Sequence, residues 1–383
     1  MYLSLSFVVI VGYLIVERIR HQRRLKRIRI RIHVNGTRGK SSVTRLIASA
    51  LRHSGIRTLA KTTGSAPQLI LPDGNTETIR RRGPANILEQ LSVIRRADQL
   101  QVDAIVVECM ALDPVLQFVS ETKLLQSTIG VITNVRPDHF EVMGDTLDDI
   151  ASSLAQTIPL QATLITADSG YFQFFADQAA ALQTPTYLAG AEKPSSLAAS
   201  LDRLVFTENL AIAEQVCRAL GLDPAVVTSG LASECSVPED AIVSTRRLGG
   251  KSIHFINAFS ANDIESTRMI EEWACFRARC PKPWVALFNN RDDRPMRMNS
   301  FAGFVGGASA YDYVAVMGEN LGLATRRFRR FLRGGTLLRL DGIPSERALS
   351  ELLDRLPHSE LTVIGMGNER GTGELVHRFA TSG

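Results

Sequence analysis

Cysteine and aromatic residues are scarce in this sequence. Its 383 residues include five cysteines, and Phe, Trp and Tyr together make up 6% of the chain. The cysteines are scattered, and neither a His nor a second Cys pair accompanies the closest two, Cys275 and Cys280. This spacing excludes a disulfide scaffold and disfavours a zinc site, so we expect buried free thiols in a reducing compartment.

Long hydrophobic runs are also rare, and charges of one sign do not predominate over most of the chain. The chain is 45% hydrophobic and 22% charged, which excludes collagen-like and disordered proteins. The formal net charge is +5, but residues 17–31 alone contribute +7 and the rest of the chain −2. Because the excess is confined to one short segment, it does not indicate nucleic-acid binding, and we expect no nucleic-acid partner.

The one apolar run without a charge lies at the N-terminus, over Leu3–Val16, and the basic segment follows it. No positive residue precedes the run and no small-residue cleavage site follows it, which favours a membrane-anchor helix over a secretory signal peptide. The positive-inside rule then places the catalytic body in the cytoplasm at the cell membrane, with the basic side chains on an anionic lipid surface. The run is short for a span, and the alternative is an N-terminal element buried in a soluble fold.

Strand and helix patterns alternate along the rest of the chain. The strand Ile28–Val34 leads through a Gly-rich turn into a helical pattern at Val43–Leu51, and a second alternation follows the mixed stretch 229–250. We therefore predict an α/β protein with three parts. These are an N-terminal membrane-anchor helix with the basic segment (1–27), a P-loop-type parallel-sheet ATPase domain (28–240) and a smaller C-terminal Rossmann-like α/β domain (241–383). The other predicted strands are Ala104–Val107, Thr128–Thr133, Leu164–Thr166, Ser252–Ala258, Val285–Phe288, Tyr313–Val316 and Leu361–Ile364.

The Gly-rich turn has the parts of a nucleotide phosphate loop. It lies between a predicted strand and a predicted helix, which is the context that such a loop requires. Backbone N–H groups around its glycines suit phosphate oxygens, Lys40 suits the β- and γ-phosphates, and the Ser41 hydroxyl suits magnesium. The common form of the motif has Gly where Val34 stands, and a chance Gly-rich turn is the alternative. The residues predicted to bind nucleotide are Gly36, Thr37, Arg38, Gly39, Lys40, Ser41 and Ser42.

Two further groups of polar residues follow predicted strands. Glu108 ends the apolar run Ala104–Val107, and Asn134, Asp138 and His139 follow the next strand. Ligands gather at the carboxyl ends of strands in open parallel sheets. Taken alone, Glu108 is equally well a helix cap or turn residue, and His139 a structural histidine. Beside a phosphate loop, both become candidate ligands of a second magnesium ion.

These three motifs, in this order, resemble the ATP-dependent amide ligases that comprise the Mur ligases and the folylpolyglutamate synthases. Within that superfamily the chain resembles the ligase subunits of poly-γ-glutamate synthases, which make capsular or secreted polymer. The resemblance covers most of 30–160 and, more thinly, the C-terminal half. The strings that carry it are VNGTRGKSSVTRLIA, AKTTGSAP, RRRGPANI, VVECMAL and ITNVRPDHFEVMG.

The resemblance implies a two-step reaction that uses ATP and Mg²⁺. ATP phosphorylates a substrate carboxylate, and the amine of an incoming amino acid attacks the acyl phosphate to form an amide. Lys40, Glu108 and His139 are the implied catalytic residues, with Ser41, Glu108 and His139 as metal ligands. Members often use a carbamylated Lys after the Asp-His loop, but no Lys occurs between Lys123 and Lys193. The implied partners are glutamate, the poly-γ-glutamate chain and integral membrane subunits of a synthase.

Two further assignments rest on less specific patterns. In the C-terminal domain, Asn262 and Arg294 are expected to meet the nucleotide, although a helix cap and a solvated loop explain them equally well. Arg80, Arg81 and Arg82 are expected to bind carboxylates of the acidic substrate, and a solvated loop is again the alternative.

Other functions remain open from the sequence alone. They are another Mur-type or folylpolyglutamate-type ligase acting on folate or a wall precursor, a P-loop kinase or GTPase, and a non-catalytic scaffold. No Asn-Lys-x-Asp string indicates guanine binding, and intact Lys40, Glu108 and His139 disfavour a scaffold.

Overall fold

The structure is a computed structural model. The residues that it describes are 2–63, 67–81, 83, 85–190, 207–234, 243–259, 261, 263–278, 280–307, 311–341, 345–369 and 371–381. The chain divides into two compact units, Met1–Ser236 and Val237–Gly383. The predicted domain boundary near residue 240 lies outside the described residues.

The apolar run and the basic segment form one continuous helix, α1 (Tyr2–Arg27). Its first part exposes apolar side chains such as Phe7 and Tyr13, whereas His21 and Leu25 near its end are buried in the first unit. There Arg24 and Arg27 form ion pairs with Asp98. In the part of the chain that the structure describes, no helix is both long and apolar enough to span a membrane. The predicted spanning anchor is thus unsupported, because the helix turns basic after Val16 and its end packs on the protein body.

The first unit is built on one mixed sheet. Its strands are β1 (Ile30–Asn35), β2 (Thr58–Thr62), β3 (Gln68–Ile70), β4 (Thr76–Thr78), β5 (Ala104–Glu108), β6 (Ile129–Ile132), β7 (Thr163–Thr166) and β8 (Thr186–Leu188). Within the described residues the order across the sheet is β4-β3-β2-β5-β1-β6-β7-β8. The pairs from β2 to β8 are parallel, and β3 and β4 add an antiparallel hairpin. β1 therefore lies between β5 and β6, and the three predicted motifs follow neighbouring strands at the same edge.

Helices cover both faces of this sheet. They are α2 (Lys40–His53), α3 (Glu89–Gln99), α4 (Pro114–Val119) with a π-helical turn (Ser120–Leu125), α5 (Phe140–Met143), α6 (Leu147–Ala155), α7 (Phe172–Ala181), α8 (Thr207–Ala219) and α9 (Pro224–Glu234). In α2, Val43, Leu46, Ile47 and Leu51 recur at helical spacing and are buried, so the helix packs one apolar stripe on the sheet. Its packing fixes the phosphate loop, which ends where α2 begins.

The second unit is a separate sheet. Its strands are β9 (Val243–Leu248), β10 (Lys251–Asn257), β11 (Trp284–Asn290), β12 (Tyr313–Gly318), β13 (Thr336–Arg339) and β14 (Glu360–Gly367). The order is β13-β12-β11-β14-β10-β9, parallel except for β9. The helices are α10 (Ile264–Ala278), α11 (Pro295–Gly307), α12 (Leu321–Phe331), α13 (Glu346–Asp354) and α14 (Thr372–Thr381). The predicted mixed α/β class with parallel sheets is confirmed.

Candidate active site

The phosphate loop needs its two glycines. Gly36 and Gly39 have positive φ angles of 125° and 81°. A Cβ on Gly36 would lie 2.0 Å from Thr133 Oγ1, and one on Gly39 would lie 2.4 Å from Asn209 Oδ1. No side chain caps the start of α2, so the N–H groups of its first turn are available to an anion. The loop thus has the backbone of a phosphate cradle.

Lys40 is folded back over the loop. Its Nζ donates to the carbonyl oxygens of Gly36 at 2.6 Å and of Thr37 at 3.2 Å. Desolvation lowers the pKa of the Lys40 ammonium, and the carboxylates of Glu108 and Asp138 oppose that shift. Burial thus disfavours the Lys40 charge, and the two carboxylates and the loop carbonyls offset part of this cost.

Glu108 and Ser41 meet at the end of β5. The Ser41 hydroxyl donates to Glu108 Oε2 at 2.8 Å, and the backbone N–H of Thr63 donates to the same oxygen at 2.7 Å. Glu108 is buried. The sequence analysis assigned Ser41 and Glu108 to different magnesium ions, but the structure brings them into direct contact. A hydroxyl and a carboxylate together form the hard oxygen donor set that Mg²⁺ prefers.

Asn134 ties the loop after β6 to the phosphate loop. Its Oδ1 accepts from the Thr37 hydroxyl at 2.7 Å and from the Arg38 N–H at 3.0 Å. Asp138 forms an ion pair with Arg38 at 3.3 Å. Asn134 and Asp138 therefore tie the loop after β6 to the phosphate loop.

His139 lies beside two acids. Its Nε2 is 3.6 Å from Asp138 Oδ2, and its Nδ1 is 3.3 Å from Glu141 Oε1. Among the described side chains, no group of three or more His, Cys, Asp or Glu is arranged to hold a metal ion. The structure therefore does not test the assignment of His139 as a metal ligand.

Of the three arginines expected to bind substrate, Arg81 is held by Glu89. Arg81 Nε and Nη2 donate to the two carboxylate oxygens of Glu89 at 2.5 and 3.1 Å. Lys61 Nζ lies 3.3 Å from Glu89 Oε2, and this lysine is fully buried. Arg80 is exposed, whereas Arg82 lies outside the described residues.

In the second unit, Asp263 acts as the cap of α10, because its Oδ1 accepts from the Ser266 N–H at 2.9 Å. Asn262 lies outside the described residues. Arg294 Nε is 3.8 Å from Asp293 Oδ2, within a charged loop before α11. The structure of this unit alone does not test either assignment to the nucleotide.

Three residues of the first unit contribute to the site without having been predicted. Asn209 of α8 packs against Gly39, Thr63 holds Glu108, and Lys61 holds Glu89. Lys61 and Thr63 belong to the string AKTTGSAP, which carried part of the resemblance but no assigned role. Asn209 lies far from the phosphate loop in the sequence, at a separation of more than half the length of the first unit. No local sequence pattern therefore indicates its role.

Comparisons with known proteins agree with this arrangement. Residues 34–215 match the Mur ligase middle domain, and residues 242–382 match the poly-gamma-glutamate synthase CapB C-terminal domain. The chain is 32% identical to the capsule biosynthesis protein CapB of Bacillus anthracis, over 97% of this chain and 81% of that protein. It is also 32% identical to the PGA synthase CapB of Bacillus subtilis, over 97% of this chain and 95% of that protein.

A solved structure shows the same fold at low sequence identity. The bifunctional folylpolyglutamate synthase/dihydrofolate synthase of Yersinia pestis, complexed with AMPPNP and Mn ion, is 15% identical and has a TM-score of 0.65. The similarity covers 92% of this chain and 90% of that chain. The motifs, the fold and the relatives thus lead to one family. The chain belongs to the CapB family of poly-γ-glutamate synthases, ATP-dependent amide-bond ligases with the Mur ligase fold.

Proposed function

We propose that this ligase forms γ-glutamyl amide bonds through an acyl phosphate. The observation that carries the proposal is the contact between Ser41 and Glu108 at the mouth of the phosphate loop. It unites the hydroxyl that follows the phosphate-binding lysine with a buried carboxylate, which is the arrangement that phosphoryl transfer from ATP requires.

The bond changes balance in two steps. A carboxylate oxygen of the substrate attacks the γ-phosphorus of ATP, the bond to the β,γ-bridging oxygen breaks, and ADP leaves. The amine of glutamate, having lost a proton from its ammonium form, then attacks the acyl carbon, and phosphate leaves with the bonding electron pair. The products are an amide, ADP and inorganic phosphate.

The residues of the phosphate loop would bind and orient ATP. The N–H groups of the first turn of α2 would face the phosphates, and Lys40 would exchange its contacts with loop carbonyls for β- and γ-phosphate oxygens. The assignment of Asn262 and Arg294 to the nucleotide stays a prediction.

The donor set fits a magnesium ion. Ser41 and Glu108 would hold Mg²⁺, with His139 as a further proposed ligand, and a bound ion would neutralise charge that develops on the phosphate oxygens. In this chain the Thr63 N–H orients Glu108 toward Ser41, so the carboxylate is already placed when the nucleotide binds. The carbamylated Lys that related ligases often carry after the Asp-His loop has no counterpart in helix α6, which contains no Lys. In this helix Asp149 forms a capping box with Thr146.

The acidic substrate and the membrane are further parts of the proposal. Arg80, Arg81 and Arg82 would bind carboxylates of glutamate or of the polymer chain. The exposed apolar side chains of α1, with the basic residues that follow, would contact integral membrane partner subunits and anionic lipid, leaving the catalytic body on the cytoplasmic side.

Isotope transfer tests the acyl phosphate directly. Substrate carboxylates labelled with ¹⁸O should pass one labelled oxygen to inorganic phosphate for each amide formed, because the oxygen that attacks ATP leaves with the phosphate. A kinase that phosphorylates a hydroxyl would form ADP without amide and would leave the carboxylate label in the substrate. Amide formation with unlabelled phosphate would overturn the mechanism.

A further inference from the structure

A groove lined by apolar side chains and several arginines runs between the β3–β4 hairpin and α3. Its cavity has a volume of about 590 Å³. Four arginines line it, together with Asn86 and Ser92. The arginines are Arg80 and Arg81 before α3, and Arg95 and Arg96 on α3 itself. This set extends the expected substrate arginines by two residues that lie on a rigid helix.

Acidic neighbours hold three of these guanidinium groups in place. Arg81 pairs with Glu89 through Nε and Nη2, Arg95 with Glu17 at 3.2 Å, and Arg96 with Glu77 at 3.3 Å. Each of these ion pairs occupies one side of the guanidinium, which has five N–H donors in total. A planar group fixed in this way loses little further entropy when it binds a carboxylate.

Arg80 differs from the other three. It is exposed, and no acidic side chain in the described ranges pairs with it. The groove therefore combines one unneutralised charge with three oriented donors. Asn86 and Ser92 add groups that can bond an amide.

Glu89 connects the groove with β2, the strand that leads to Thr63. Glu89 lines the groove and also contacts the buried Lys61 on β2. Lys61 Nζ lies 3.2 Å from Met110 Sδ, and Thr63, two residues along the chain, donates to Glu108. The groove is thus linked to the segment that holds Glu108 through the side chains of Glu89 and Lys61 and the backbone of β2.

We propose that this groove holds the growing poly-γ-glutamate chain behind its reacting end. The inference rests on the proposed function and names a subsite for its polymeric substrate. Each unit of the polymer presents one carboxylate and one amide, which match the guanidinium groups and the neutral polar side chains of the groove.

Binding of a labelled poly-γ-glutamate decamer to the full-length protein tests the groove without ATP. The variant Arg95→Gln/Arg96→Gln should weaken binding about tenfold, and Arg80→Gln should weaken it in the same direction. The matched control Arg329→Gln/Arg330→Gln removes two exposed arginines from α12 and should bind as wild type. The affinity of wild type should fall as salt rises from about 0.05 to 0.3 M, because partly exposed ion pairs are screened.

Separate readouts distinguish this subsite from the proposed function. ADP and amide formation by wild type test the ligase reaction, whereas the polymer KM of Arg95→Gln/Arg96→Gln tests the groove. ATP affinity of the variant reports whether the fold is intact, and Arg80→Gln covers the case in which the double variant unfolds. The proposal would be overturned if ligase activity were normal while both double variants and Arg80→Gln bound the decamer equally well. Stronger competition by a DNA or RNA oligonucleotide of equal charge than by unlabelled decamer would also overturn it.

Discussion

Glu108 connects three segments of the first unit, because its Oε2 accepts from Ser41 of α2 and from the N–H of Thr63 after β2. Glu108→Gln keeps the size of the side chain but removes its charge. We expect turnover to fall by about 10²-fold or more and the magnesium requirement to rise, because a neutral amide is a poorer ligand for a hard ion. Titration of activity against Mg²⁺ measures both effects. Glu346→Gln, at an exposed position of α13, is the control, and an unchanged magnesium requirement in Glu108→Gln would count against the metal site.

Gly39 offers a second test at the scale of one residue. Gly39 and Gly55 have similar positive φ angles of 81° and 77°, but only a Cβ on Gly39 would collide with another side chain. Both Gly→Ala variants should lose about 1 kcal/mol of stability from backbone strain. Only Gly39→Ala should also lose ATP binding, measured by calorimetry, because Asn209 must move away from the phosphate loop. Equal ATP affinity in the two variants would contradict this reading of the loop.

His33 is a buried residue of β1, the strand next to the one that carries Glu108. Its Nδ1 is 2.9 Å from Glu121 Oε2. The other oxygen of that carboxylate, Oε1, accepts from the backbone N–H of Ser127. Burial alone would lower the pKa of His33, but the neighbouring sulfur of Cys109 and the Glu121 carboxylate raise it to about 10.

This raised pKa predicts a pH-dependent stability. Because the folded protein holds the His33 proton more tightly than the unfolded chain, the stabilisation is complete below pH 6.5 and is lost as pH rises toward about 10. The free energy of unfolding should fall by roughly 1 kcal/mol per pH unit between pH 7 and 9. Urea unfolding of His33→Gln should show a slope that is shallower by this amount. The same slope in both proteins would show that His33 is not the titrating group.

At the scale of elements, α1 has two halves with different roles. Its early residues expose apolar side chains, whereas His21, Leu25 and the adjoining Ile28 are buried in the first unit. Deletion of residues 1–20 should therefore leave a folded body that binds ATP and no longer floats with membranes. Deletion of residues 1–28 should lower the stability by several kcal/mol, because burial of two large aliphatic side chains is lost. Thermal unfolding measures the change in stability, and vesicle flotation measures membrane binding. Equal melting temperatures of the two deletion variants, or flotation of the variant that lacks residues 1–20, would contradict the assignment of different roles to the two halves of α1.

Local patterns predicted the strands that carry the site, and tertiary contacts decided the rest. The phosphate loop is a short string after an apolar strand, and Glu108 is the last residue of β5, so the sequence alone was sufficient to find them. The contact between Ser41 and Glu108 depends on β5 lying next to β1, which no spacing in the sequence specifies.

A buried charge explains why β2 is absent from the predicted strands. β2 was not predicted, since a strand of five residues with a lysine inside it reads as an exposed segment. In the structure Lys61 is buried because Glu89, from a helix distant in sequence, compensates its charge. The packing of the end of α1 was likewise not predicted, because a helix rich in arginine gives no sign that its buried His21 bonds the carbonyl of Leu124.

At the scale of the whole molecule, two α/β units are joined in one chain, and the charge is distributed unevenly between the α1 region and the rest. Residues 17–31 carry +7, while the remainder carries −2. The proposed division of labour follows from this distribution. In this proposal the basic helix faces the membrane, the first unit holds the phosphate loop and the polymer groove, and the reaction consumes one ATP for each amide.

The most direct test of the account is to count ADP and new γ-amide bonds made by the purified full-length protein from ATP, glutamate and a polyglutamate primer. The account predicts equal amounts of the two products from wild type and from Lys123→Ala, which removes an exposed lysine. Lys40→Ala should lose both activities by about 10³-fold or more while remaining folded, because the cation beside the β- and γ-phosphates is gone. ADP without amide, or more than a tenth of wild-type turnover in Lys40→Ala, would contradict the account.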